Sequence, residues 1–146
     1  MRNSGAYFCG LVAIASWGAF VGGCRSRNEP TVDARRAALE AYDAGLAAFN
    51  SGDFSSAELK FTEAIELRGL GPDAYCDAAI RRAACWAAAG KYDEALAELQ
   101  TQEESGGPPD QIDVARSFVY RKQGKTGEAQ AALARARRFN RLIKEF

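Results

Sequence analysis

The sequence predicts an all-α fold, a short α-solenoid of three stacked helix-turn-helix units, from two recurrences and one absence. Gly52-Asp53-Phe54-Ser55-Ser56-Ala57 returns as Gly90-Lys91-Tyr92-Asp93-Glu94-Ala95 and again as Gly124-Lys125-Thr126-Gly127-Glu128-Ala129. The alanines at 95 and 129 are 34 residues apart and those at 57 and 95 are 38 apart, a spacing typical of helical-hairpin arrays. Apolar residues recur three and four apart, as in Leu59, Phe61, Ala64, Ile65 and Leu67, or Ala95, Leu96 and Leu99. No alternating β-pattern competes.

Taken in order, the first helix spans 32–50 and the second 54–68, with Gly52 between them. Gly69, Gly71 and Pro72 then break the chain. The third helix, 73–89, is expected to be capped by Asp73, and Gly90 separates it from the fourth at 92–104. Gly106, Gly107, Pro108 and Pro109 make the next break. Asp110 is the expected cap of the fifth helix, 110–123, and the sixth runs 126–145. Its stripe of Phe139, Leu142, Ile143 and Phe146 falls at i, i+3, i+4 and i+7. That stripe reads as a C-terminal capping helix or helix extension covering the last unit, with homodimerisation or partner docking as the other readings.

The start of the chain is of another kind. Residues 1–23 carry one charge, Arg2, and an apolar run from Ala6 to Gly23, the pattern of an export signal. Val21-Gly22-Gly23-Cys24 directly follows that core and resembles the lipobox of bacterial lipoproteins. The resemblance implies that residues 1–23 are removed and that Cys24 carries diacylglycerol and an acylated amine (palmitate-type chains), which together give stable anchoring. An unmodified cysteine beside an uncleaved signal anchor is the alternative. Residues 24–31 would then be the lipidated cysteine and linker, leaving 32–146 as the folded domain. Arg25, rather than aspartate, follows the cysteine, which by that resemblance accords with the outer membrane. The expected location is therefore the cell membrane or outer membrane, with the domain facing periplasm or exterior.

The three units, about 38–71, 76–109 and 110–143, resemble the tetratricopeptide repeat (TPR). Where that family has small or packing residues at its helix contacts, this chain has Gly45, Ala48, Ala57, Phe61 and Ala64 in the first unit. The second has Ala83, Trp86, Ala95, Leu99 and Gln102, and the third Ser117, Tyr120, Ala129, Leu133 and Ala136. Gln102 and Thr126 depart from the family pattern. The resemblance implies a protein-binding groove lined by the first helix of each unit. A carboxylate clamp is contradicted, because Tyr42 and Leu46 stand where its lysine and asparagine would be. What remains is an apolar groove with a basic end: Tyr42, Leu46, Phe49, Ile80, Val114 and Phe118, with Arg121. These residues either receive an apolar helix face or extended segment of a protein partner, or pack against one another as core.

Other classes of function find little support. Basic and acidic residues number 19 each, so bulk binding to nucleic acid is not expected. There is no histidine, phosphate loop, nucleophile elbow or paired-cysteine motif, and neither enzyme activity nor a cofactor nor a metal is expected. Cys76 and Cys85, nine apart on one helix, would be separated by about 13.5 Å of rise, too far for a disulfide. They are read as free, packed thiols. Arg135, Arg137, Arg138, Arg141 and Lys144 make a basic run, read as a solvated face or a contact for anionic headgroups. An acidic stretch from Asp93 to Asp113 would orient a charged partner or let copies associate head to tail. The function expected is a membrane-anchored interaction adaptor in envelope assembly; a self-associating structural subunit is the alternative.

Overall fold

In the computed structural model, residues 30–146 are described; the apolar run, Cys24 and the linker up to residue 29 lie outside them. Six helices and no strand are found among the described residues: α1 Val32–Asn50, α2 Phe54–Glu66, α3 Pro72–Ala88, α4 Tyr92–Glu104, α5 Pro109–Lys122 and α6 Thr126–Phe139. None is long and apolar enough to cross a membrane.

Capping explains most of the boundaries. Thr31 accepts a hydrogen bond from the Ala34 amide and Asp53 accepts one from Ser56, each at 3.1 Å, closing the starts of α1 and α2. Asp73 and Asp110 are not the caps expected of them. Pro72 and Pro109 occupy the first helical position, where a missing N–H is harmless, so the caps are Gly71 and Pro108 and the aspartates fall in the first turn. Four helices end alike: Gly52, Gly90, Gly106 and Gly124 take positive φ just past α1, α3, α4 and α5. The residue after each glycine donates to the carbonyl five back, as Asp53 does to Ala48 and Lys125 to Tyr120. This is the Schellman closure, which satisfies carbonyls the helix leaves open.

The helices form two layers. In one, α1 packs on α3 and α3 on α5; in the other, α2 sits on α1 and α3, α4 on α3 and α5, and α6 on α5. The members of this second layer do not contact each other. Small residues make the close approaches: Gly45, Ala57, Ala64, Ala83, Ala95, Ala129 and Ala136 are all buried. Phe61, Leu99, Ile112 and Val119 fill the space between them. Gln102 is buried too, its amide donating to Glu98 Oε1 at 3.1 Å.

The largest departure from expectation is the end of the chain. Helix α6 stops at Phe139, and residues 140–146 leave as a non-helical segment beginning with Asn140 in extended geometry. Asn140 bonds Asp110 at the start of α5, whereas Glu145 bonds Arg121 at its end. The eleven-residue step along α5 from Asp110 to Arg121 rises about 16.5 Å. Six more residues of helix would advance only about 9 Å; the tail instead turns at Asn140–Ile143, where the Ile143 amide donates to the Asn140 carbonyl, and then runs non-helically to Phe146. Leaving the helix is what lets Phe146 reach α1 and α5.

Candidate functional site

Phe146 comes to rest on the layer built by α1, α3 and α5. Its ring lies 5.3 Å from Phe49, edge-on, and 6.3 Å from Phe118. Phe54 completes the enclosure, 5.4 Å from Phe49 and 6.0 Å from Phe118, so four rings close on one another from four different elements. Separations of this size with tilted or edge-on planes suit the aromatic quadrupole. Phe61 backs the group, 6.3 Å from Phe49 and 6.2 Å from Tyr42.

Cations rim the cluster. Arg81 stands over both Phe49 and Phe146, with its guanidinium carbon 5.4 and 5.6 Å from the ring centres. It is held there by Asp77, which accepts 2.7 Å hydrogen bonds from Arg81 Nε and from the Tyr42 hydroxyl. Burial pushes the Tyr42 phenol up to about 12, and its bond to the Asp77 carboxylate adds to the effect. On the opposite side, Arg121 donates to the Glu145 carboxylate and, at 3.1 Å, to the main-chain oxygen of Phe146. Arg137 reaches the same carboxylate at 3.1 Å. Lys122 stands 5.2 Å over Phe118.

The residues expected to line a groove divide into two groups. Tyr42 and Leu46 are half-buried on α1, Arg121 is exposed at the rim, and Phe49 and Phe118 lie beneath Phe146. Ile80, at 1% exposure, belongs to the core, and Val114 is covered where the tail crosses α5. Phe118 is only 6% exposed, because the tail covers it. Arg81, Phe54 and Phe146 were not anticipated: Arg81 lies one position past a groove residue, and nothing local marks residue 146 as the neighbour of residue 49.

Two open clefts flank the occupied part. One of about 350 Å³ runs between the tail and Asp77, Arg81 and Val114. The other, about 820 Å³, opens beside Tyr42, Tyr75, Cys76 and Gly107, and the two share Asp77 and Gln111. The surface is thus filled at one end and vacant at the other.

Elsewhere several charges pair across elements. Asp113 is buried and bonds Arg135, Glu103 bonds Arg116, and Glu98 bonds Arg82. The acidic stretch and the basic run therefore partly neutralise each other within one molecule. The Arg116 hydrogen bond holds the Glu103 carboxyl below its ordinary range. Cys76 and Cys85 are both free, and no cluster that could hold a metal ion occurs among the described residues. The chain matches no family model, no curated protein and no solved structure.

Proposed function

We propose that this chain is a membrane-tethered adaptor, a solenoid of three TPR-like hairpins that captures an extended segment of a partner protein on the face made by α1, α3 and α5. The observation that carries this reading is the seat of residues 140–146: a non-helical segment already lies across that face, ring in aromatic enclosure and carboxylate on arginine. Extended recognition of this kind takes its specificity from pockets for individual side chains. The tether is Cys24, by the lipobox resemblance of Val21-Gly22-Gly23-Cys24, and the setting is the cell envelope. Mass spectrometry of the mature N-terminus tests the tether: an acylated Cys24 is expected, and an unmodified Cys24 or retained Met1 rejects it.

Capture is tested with a photo-cross-linker placed at half-buried Leu46, in detergent-solubilised membranes. A discrete adduct is expected, and Arg121→Glu should deplete it while helicity is unchanged. Phe118→Asp is unsuitable for this purpose, since the buried ring supports Phe54 and Phe146.

The second reading, a self-associating envelope subunit, draws on Phe139 and Leu142, which are 66% and 90% exposed near the end of α6. Light scattering on the chain from Arg25 onward separates the two: a monomer at high concentration supports the adaptor, and a dimer lost on Leu142→Asp supports the subunit.

A further inference from the structure

We propose that the enclosure of Phe49, Phe54, Phe118 and Arg81, with Arg121 at its rim, is a receptor for a peptide bearing an acidic residue followed directly by an aromatic one, and that residues 140–146 keep it closed as an intramolecular copy of that ligand. This rests on the adaptor reading and adds two things to it: the chemistry of the captured segment and a reason for capture to be controlled.

The bound segment defines the chemistry. Phe146 supplies a flat apolar ring to two phenylalanines and to the face of Arg81, a combination that an aliphatic side chain meets less well. Glu145 meets Arg121 and Arg137 together, and Arg121 also binds the main-chain oxygen of residue 146. Arg121 meets the side chain of one residue and the backbone of the next, and that pairing is the basis for the order acidic-then-aromatic. Arg81 is kept in place by Asp77 and Tyr42, so the cation over the ring is pre-positioned.

The same geometry explains closure. The segment starts directly from α6, so its effective concentration at the site is in the millimolar range for so short a tether. Its contacts are modest in number: Leu142 is 90% exposed, and the neighbouring cleft under residues 140–146 is unfilled. An occupant held by one ring, one carboxylate, one main-chain oxygen and the Asn140–Asp110 bond is displaceable by a partner that adds contacts in the vacant cleft toward Asp77 and Gln111. Exchange of like for like is the mechanism, with no new site required.

The test is a fluorescence-anisotropy titration of the full chain with a labelled, C-terminally amidated peptide of sequence Arg-Leu-Ile-Lys-Glu-Phe, residues 141–146. Against the unaltered chain, Phe146→Ala and Glu145→Lys should each tighten binding by about tenfold, as expected when a tethered competitor is lost. Glu145→Lys changes only a partly exposed ion-paired side chain, so it carries the comparison if Phe146→Ala loses helicity. Adding the neutral Arg121→Gln to Glu145→Lys should abolish the gain without restoring an opposite-charge pair to the tail, and a peptide with Glu exchanged for Lys should bind neither form. Equal affinity for the unaltered chain and both tail variants overturns closure. Absence of peptide binding to folded Glu145→Lys, or binding by that variant indifferent to Arg121→Gln, overturns the acidic-aromatic specificity. The adaptor reading stands or falls separately, on the adduct at Leu46.

Discussion

Gly45 on α1 faces the ring of Phe61 on α2 so closely that a β-carbon at position 45 would stand 2.8 Å from Phe61 Cδ1 and Cε1. Phe61 is fully buried and has nowhere to swing. Alanine in a helix interior gains roughly 0.5–1 kcal/mol over glycine, but a methyl group forced into a packed core costs about 1–3 kcal/mol. The second effect is larger. Gly45→Ala should lower stability by about 1 kcal/mol, read as a lower urea midpoint with unchanged slope; a midpoint at or above that of the parent would contradict the packing.

The ends of the helices make an opposite prediction at Arg68. It takes φ +52°, whereas the equivalent place after α1, α3, α4 and α5 holds glycine. A left-handed conformation costs an L-residue about 1–2 kcal/mol, partly offset by the entropy glycine loses on folding. Arg68→Gly should therefore raise stability by roughly 0.5 kcal/mol. Gly90→Ala, with open space around it and φ +83°, should lower it by about 1 kcal/mol. Thermal unfolding of the pair checks both signs at once.

These local rules were the legible part of the fold. Glycine at a helix end, a polar cap before an apolar run and alanine at a close contact are all short-range signals, and α1 to α5 fall within about two residues of where those signals put them. Asp73 and Asp110 were misread because each follows a proline that itself opens the helix. The tail was illegible for a different reason. Phe139, Leu142, Ile143 and Phe146 have helical spacing, but spacing carries no information about a neighbour 97 residues back along the chain. Phe146 finds Phe49, Phe118 and Arg81, and Glu145 finds two arginines, so the local preference yields to contacts between distant segments. Ile80 and Phe118 show the same limit: a pattern assigns residues to an apolar face without saying what covers it.

Asp113 offers a test of polar burial. Its side chain is 8% exposed and accepts from Arg135 Nη2 at 2.8 Å and Nε at 3.2 Å, with Arg116 no nearer than 3.9 Å. Arg135→Ala would strand a carboxylate beneath α6, at a cost of about 1–3 kcal/mol. Replacing both residues with alanine should cost clearly less than the two single changes added together, because the second change removes the stranded charge. Strict additivity in chemical denaturation would show that the pair contributes no coupling.

Tyr42 predicts a signature in alkali. Its phenol is raised from 10.0 to about 12 in the folded chain, first by burial and then by the bond to Asp77. Below pH 10 the folded and unfolded chains both keep the proton, and the contribution to stability is fully present. Between 10 and 12 the unfolded chain releases it first, so stability falls as pH rises through that window. Tyr42→Phe should flatten this fall. It should also remove a component that ionises above the ordinary phenol range when tyrosine ionisation is followed by ultraviolet absorbance. A parent chain lacking such a component would contradict the Asp77 contact.

The two thiols of α3 should differ sharply in reactivity. Cys85 is buried, and that burial, with Glu58 nearby, pushes its thiol up to about 12. Cys76 is half-buried, and its rise comes from burial followed by Asp77 and Asp73. Because the thiolate is the attacking species, iodoacetamide at pH 8 should modify Cys76 well before Cys85. Labelling of Cys85 should instead track opening of the structure, rising with urea in step with loss of helicity. Peptide mapping by mass spectrometry reads the two sites separately. Early labelling of Cys85 in the absence of denaturant would mean that α3 is not packed between α2 and α4, and the placement of Arg81 and Asp77 on that helix would fall with it.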